Sequence, residues 1–346
     1  MITDKELKEI KSYLEKSENP LFFYDDDPDG LCSFLILKRF LNKGKGVCIK
    51  AGTLDLKFNR KIEEYSPDLV VILDAPIVSQ EFVNKINVPI IWLDHHPLSK
   101  TKGTHYYNPL KSDIKDNRPT TFWCYQITEQ DLWLAVIGCI SDCYFPKFAK
   151  DFSKQYPDLL PKDIKKPFDA LFETKLGELI KIFRFLLKGR VSEVRKSVGI
   201  LSNIKNPKEI LDKTTSKGKY LFKKIQKVKS EYDYLIKQAI SEATKDELLI
   251  FHAPSNKFAM TGDLSDELMH RFQDKFIIVV REKSGLMKFS MRGWKYDVRK
   301  IFKEATKGIN AFGGGHVHAC GGEVPREFWE EFTFKVRKLM KNYKLN

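Results

Sequence analysis

Four aspartates, Asp25, Asp26, Asp27 and Asp29, stand directly after the apolar run Leu21 to Tyr24 and before Gly30. Like charges this close repel, and packing alone gains nothing from them. Asp27 and Asp29, two apart around Pro28, can face a common centre, where a divalent cation is the simplest source of compensating charge. Oxygen ligands suit magnesium or manganese, and imidazole beside them favours manganese or another first-row metal. Imidazole is supplied by Asp94-His95-His96, which follows the apolar run IIWL. A lone acid, Asp74, follows LVVIL, and Asp142 closes LWLAVIGCISD. The plainer alternative for the turn is a helix N-cap with solvent-facing acids that favour the helix dipole. That accounts for one acid, not for four joined by acids and histidines at other strand ends.

These runs are short, apolar and β-branched, the pattern of parallel strands covered on both faces. Strands are expected at Leu21 to Tyr24, Val47 to Ala51, Leu69 to Leu73 and Ile90 to Leu93. A helix is expected over Leu31 to Leu41, and helical structure over residues 120–145. In open parallel sheets ligands bind outside the carboxyl ends of the strands, so side chains distant in sequence converge at one edge. The fold class is therefore α/β with two domains. An N-terminal parallel-sheet domain takes residues 1–150. A smaller C-terminal α/β domain takes residues 246–346, with strands at Leu248 to His252, Phe276 to Val280 and Met287 to Met291. A helical basic connector, residues 151–245, joins them and includes a long helix from Tyr220 to Ala243.

The chain of 346 residues, 42% hydrophobic, is long enough for about two cores. No run approaches the ~20 apolar residues of a membrane span. The opening MITDKELKEIKSYLEK is a charged helical pattern without an apolar signal core, so a cytoplasmic location is expected. Six scattered cysteines suit reduced thiols. The net charge is +14, and residues 151–245 hold 22 Lys and Arg against 12 Asp and Glu, or +10. Such a surface favours a polyanion, nucleic acid first. Tyr220, Phe222, Tyr232 and Tyr234 are candidate stacking faces for a single strand, with an ordinary amphipathic connector as the alternative.

The order of motifs resembles the DHH phosphoesterase superfamily, which includes RecJ-type exonucleases, nano-RNases, cyclic-dinucleotide phosphodiesterases and family II pyrophosphatases. DxDG falls at Asp27 to Gly30, a lone Asp at Asp74, DHH at Asp94 to His96, and a further Asp at Asp142. The C-terminal part resembles the DHH-associated domain through GGGH at Gly313 to His316 and FSMRG, with Ser290 and Arg292 in the phosphate-binding strand. TGDLSDEL, residues 261–268, resembles archaeal members. The resemblance implies two divalent ions, manganese preferred and magnesium accepted. Asp27 and Asp74 would hold one. Asp29, Asp74, His95 and Asp142 would hold the other, with Asp74 bridging. Many members carry a histidine four residues before the first Asp of DxD, where this chain has Phe23. RecJ-type members carry an Asp at the position of Asp25, which is inferred to complete the first site. Asp26 has no family role and is expected to face solvent.

The catalytic assignments implied are His96 on the scissile phosphate, Asp74 and Arg292. Substrate contacts are His96, Ser290, Arg292, Gly313, Gly314, Gly315 and His316; the glycines let backbone amides approach a phosphate, and Arg292 forks onto one. His318 and Cys320 are read as packing. Cys32 and Cys139 are spectators. The leading expectation is a manganese-dependent RecJ-like exonuclease or nano-RNase of compact archaeal type, acting on single-stranded DNA or RNA from an end. A small-nucleotide phosphodiesterase, for a cyclic dinucleotide or 3′-phosphoadenosine phosphate, is one alternative. A non-catalytic replication scaffold is another, and an active nuclease bound to a replication or repair protein partner is the intermediate case.

Overall fold

The structure of the protein is a computed structural model that describes residues 1–50, 52–255 and 258–345. Packing divides the chain into Met1–Ile225 and Gln226–Asn346.

In the first unit the apolar runs become β1 (Pro20–Tyr24), β2 (Lys45–Cys48), β3 (Thr53–Leu54), β4 (Leu69–Leu73), β5 (Ile77–Val78), β6 (Ile90–Leu93) and β7 (His105–Tyr107). The main sheet has the order β2-β1-β4-β6-β7, and all its pairs are parallel. Every residue of β1, β4 and β6 is buried. Alternate side chains explain this. Leu21, Phe23, Val70, Ile72, Ile90 and Trp92 enter one core cluster. On the other face the Phe34 ring lies 5.5 Å from Phe22 and stacks on Tyr24 at 4.6 Å. Each large apolar side chain so buried contributes about 1.5–3 kcal/mol. The register pairs Tyr24 with Leu73 and Leu73 with Leu93, so the residues after β1, β4 and β6 share one edge.

The helix after β1 spans Pro28–Leu41, three residues earlier than periodicity suggested, because Asp27 caps it and Pro28 opens it. β2 begins before the expected Val47; Ala51 lies outside the described residues. The segment 120–145 is two helices, Thr120–Thr128 and Leu132–Ser141, separated where Glu129 and Asp131 take positive φ. Both pack on the Pro28–Leu41 helix. The basic segment is helical, and helix Lys175–Leu186 packs on the first unit's helices. The long helix runs Ser216–Ser241, across the boundary of the units. No helix of the described residues is long and apolar enough to cross a membrane.

The second unit holds β8 (Leu248–His252), β9 (Phe276–Lys283), β10 (Leu286–Arg292), β11 (Phe312–Gly315) and β12 (Ala319–Pro325), in the order β11-β12-β10-β9-β8. The β8–β9 pair is parallel and the others antiparallel. β9 and β10 are longer than expected because Ser284 and Gly285, both at positive φ, close them into a hairpin. Phe276, Ile278, Phe289, Met291 and Phe332 anchor the core.

Candidate metal centre

The acidic turn is shaped by close backbone approach. A Cβ at Gly30 would lie 2.7 Å from the Asp25 nitrogen and 2.8 Å from its oxygen. Glycine is therefore required where the helix start folds back on Asp25. Asp25 Oδ1 accepts from the amides of Asp26 at 2.8 Å and Gly52 at 3.1 Å. Asp27 Oδ1 accepts the Gly30 amide at 2.9 Å, so this acid does cap the helix. Asp26 does not simply face solvent. It is half-buried and paired with Lys50 Nζ at 2.8 Å, and the same ammonium donates to the Leu187 carbonyl at 2.9 Å. Phe23, at the position of the family histidine, is fully buried against Phe58 and Phe82.

Asp29 is fully buried. The start of the Thr120–Thr128 helix receives it: Thr120 N–H donates to Oδ2 at 2.9 Å and Thr121 N–H to Oδ1 at 2.7 Å. The Thr121 hydroxyl donates to the Asp29 carbonyl at 2.8 Å. The Thr120 hydroxyl donates to Asp74 Oδ1 at 3.2 Å. These threonines carry no mark of their role in the sequence. RPTT marks a helix start, but nothing in it says which acid the free amides meet.

Asp74 leaves β4 at φ 59, a left-handed conformation that aspartate tolerates better than most residues. His95 Nε2 lies 3.3 Å from Asp74 Oδ1, 3.6 Å from Asp142 Oδ2 and 3.9 Å from Asp29 Oδ2. Asp142 reaches this point as the C-cap residue of helix Leu132–Ser141. Two sets of potential ligand atoms, those of Asp29, His95 and Asp142 and those of Asp74, His95 and His96, each lie within 4.8 Å of one another. Asp94 serves His96: its Oδ1 is 2.8 Å from Nδ1, and its Oδ2 accepts the His96 amide at 3.1 Å. Asn108 steadies the pair, donating to Asp94 at 3.3 Å and to the His96 carbonyl at 2.9 Å.

Burial and mutual repulsion dominate the electrostatics. Burial, with Asp29 and Asp142 adding to it, pushes Asp27 up to about 6. Burial and Asp74 push Asp29 up to about 7. Asp142 rises to about 7, again chiefly by burial, against the opposing pull of His95. Asp25 and Asp74 are raised by burial and by Asp27. Burial pulls the histidines down, but Asp142, Asp74 and Asp29 hold His95 well above its ordinary value, and Asp94 and Asp74 hold His96 at about 9. Buried carboxylates raised in this way lack positive charge. Carboxylate oxygens with the imidazoles of His95 and His96 are a donor set that fits a hard or borderline divalent ion.

Residues 21–133 match the DHH family, N-terminal domain, and residues 250–342 match the DHHA1 domain, together more than half of the chain. The chain belongs to the DHH superfamily. DHH family members are metal-dependent phosphoesterases. RecJ from Thermus thermophilus in complex with Mn2+ matches 98% of the chain at 14% identity and a TM-score of 0.71; the chain spans 55% of that protein's length. Exonuclease RecJ bound to manganese matches 99% at 14% identity, TM-score 0.63, with 96% of its own length covered. The DHH domain of a member of a ribosomal-protein family matches 98% at 14% identity, TM-score 0.66, with 90% covered. At these identities the likeness is one of fold. No curated protein matches the chain in sequence.

In the DHHA1 domain, Arg292 is anchored. Its Nε donates to Asp266 at 2.6 Å, and Nη1 to the carbonyls of Met291 at 3.0 Å and Cys320 at 3.3 Å. Ser290 Oγ donates to Thr261 at 3.2 Å. Gly313, Gly314 and Gly315 do not form a turn: they are the exposed edge strand β11, paired with Gly322, Gly321 and Cys320. A Cβ at Gly313 would meet Gly321 O at 2.4 Å, so strand approach itself demands glycine there. His316, exposed, begins the hairpin turn, its amide donating to Ala319 at 2.7 Å. His318 packs on Trp294. Of the expected stacking residues, Tyr232 is buried and bonded to Glu267, while Lys196 covers Tyr220 and Lys213 covers Phe222. Tyr234 alone of these four is open, at 59% exposure. Cys32 and Cys139 are buried, with their thiols pushed up by burial.

Proposed function

We propose that this DHH-superfamily protein is a divalent-metal-dependent phosphodiesterase, manganese preferred, that hydrolyses single-stranded DNA or RNA from an end. The observation that carries the reading is the convergence of Asp29, Asp74, His95 and Asp142 on one point at the carboxyl edge of the sheet. Asp27 and Asp74, completed by Asp25, would hold one ion. Asp29, Asp74, His95 and Asp142 would hold a second. Such ions supply a water acidified to near-neutral pKa and positive charge against the phosphoryl oxygens.

The chain's own groups do the rest. Asp94 fixes the His96 ring through Nδ1, which leaves Nε2 to face a phosphate. Asp94 and Asp74 favour the protonated ring, which places it to donate as negative charge builds on the phosphoryl oxygens. Thr120 and Thr121 orient Asp29 and leave it no freedom to turn aside. Ser290, Arg292, the β11 glycines and His316 are assigned to substrate phosphates, with Asp266 aiming the guanidinium. Nucleic acid as substrate is supported by the RecJ-like fold and by the +10 segment at residues 151–245.

The test is digestion of single-stranded RNA and DNA, labelled in turn at the 5′ and 3′ ends, with manganese and with chelator. The expected result is manganese-dependent shortening from one end, with duplex spared. No cleavage of any strand would overturn the proposal. Affinity that stops rising beyond a dinucleotide would reassign the substrate to a small nucleotide.

A further inference from the structure

Two loops leave the sheet edge beside the acids. Pro76 to Gln80 begins two residues after Asp74, and Pro97 to Thr101 directly follows His96. Between them lies a cleft of about 420 Å³, within the roughly 300–1,000 Å³ of small-ligand sites. The loops are tied across it. The Thr101 hydroxyl donates to the Val78 carbonyl at 2.7 Å, and the Gln80 amide exchanges two bonds with the Lys102 backbone at 3.0 and 2.9 Å. The cleft is thus formed in advance of any ligand.

Its apolar lining is uncovered: Ile77 and Leu98 are each 50% exposed. Its polar groups are already used. Gln80 serves Lys102 and Asn84, Thr101 serves Val78, and Ser99 serves Thr101. Lys100 in the lining and Lys102 just beyond it, by contrast, have ammonium groups without an ion-pair or hydrogen-bond partner among the described residues. At its other end the cleft abuts the acidic turn. A Cβ at Gly52 would lie 2.8 Å from the Pro76 ring and 3.7 Å from Asp25 Oδ2, so Pro76 stands one glycine away from a candidate metal ligand.

We propose that this cleft is a nucleoside subsite. It takes the base and sugar of the nucleotide whose phosphate lies at the acids, with the base against Ile77 and Leu98 and the next phosphate against Lys100 and Lys102. Apolar walls next to spare cations match a nucleotide, which carries a flat apolar face and an anion. Because the lining donors and acceptors are already paired, the base is held by its surface and not by its hydrogen-bonding edge, so the subsite accepts any base. The inference rests on the phosphodiesterase reading for what brings a phosphate to the acids.

The test uses the full chain, manganese, and fluorescein-labelled oligothymidylates with phosphorothioate linkages, intact or abasic at one position in turn. Fluorescence anisotropy reads binding. The wild type is expected to show one position where loss of the base weakens binding about tenfold, equivalent to about 1.4 kcal/mol. In the Ile77→Ala, Leu98→Ala double variant the intact strand binds about tenfold more weakly and no position discriminates. Both side chains are half-exposed, so the fold tolerates the change. Lys100→Gln with Lys102→Gln flattens the salt dependence of binding by about one to two phosphates. A double variant that keeps wild-type discrimination overturns the subsite, and so does uniform binding of all abasic strands by the wild type. Hydrolysis of unmodified strands is followed in parallel; its absence, with the positional binding pattern intact, would remove the phosphodiesterase reading and leave the subsite standing.

Discussion

The backbone N–H of Thr120 donates to Oδ2 of Asp29 at 2.9 Å, although 91 positions separate the two residues. A helix start is thereby turned into a holder for a buried acid. Thr120 is the first residue of its helix and Pro119 before it is already extended, so proline is compatible with the backbone there. Thr120→Pro removes the hydroxyl and the amide donor and sets the ring Cδ against Asp29 in the donor's place, while Thr120→Ala removes only the hydroxyl that reaches Asp74. The expected outcome is a loss of manganese affinity of about tenfold or more for the proline variant and a smaller loss for alanine, read by calorimetry. Equal affinities in both variants and the wild type would show that the amide does not position Asp29.

Gly30→Ala places a methyl group against the Asp25 backbone. Overpacking of this kind costs roughly 1–3 kcal/mol, and the strain falls on the turn that carries Asp25 and Asp27. Chemical denaturation should show the loss of stability, and manganese titration a weaker first site. Gly199, where a Cβ would meet nothing within 4 Å, serves as the control for alanine substitution.

The acids also fix a pH dependence. Folded Asp27, Asp29 and Asp142 sit at about 6, 7 and 7, above the ordinary value near 4. Each therefore favours the fold only while protonated: its contribution is present below about 4 and lost as pH rises through 6 to 7. His96, held at about 9, contributes below about 6.5 and loses that contribution as pH rises through 9. Metal binding must displace protons from the acids. Manganese affinity should climb at least about tenfold between pH 6 and 7.5 with protons released, and the gap in melting temperature between manganese-loaded and chelator-treated protein should widen over the same range. An affinity that is flat across it would contradict these burial effects.

Arg292 differs from a free surface arginine because Asp266 and two carbonyls hold it. Arg292→Ala should raise the Michaelis constant for oligonucleotide with manganese content unchanged. Arg292→Lys should not rescue it, since one ammonium cannot reproduce the forked geometry. An unchanged Michaelis constant in the alanine variant would remove Arg292 from substrate binding.

Much of this was legible in the sequence, for identifiable reasons. β1, β4 and β6 are buried on both faces, so they read as unbroken apolar runs, and the acids that end them stand out. Asp25, Asp74 and His95 could be placed at one edge from parallel-sheet topology alone. What stayed hidden depends on backbone groups or on non-local approach. The amides of Thr120 and Thr121 have no side-chain signature. Asn108 stands at the exit of β7, a strand too short to show a period. Gly313 to Gly315 read as a place where backbone amides approach a phosphate, but glycine also permits close strand pairing, and the β11–β12 pairing is not visible in the sequence. Asp26 looked solvent-facing because Lys50, its partner, is 24 residues away.

The most direct test of the shared acid-histidine centre is manganese binding by calorimetry to the wild type and to Asp74→Asn, a nearly isosteric change at the residue 3.3 Å from His95 and 3.8 Å from His96. The expected result is two bound ions in the wild type, with loss of at least one, and of all hydrolysis, in the variant. A wild type that binds no manganese, or a variant that binds two with undiminished affinity, would contradict it.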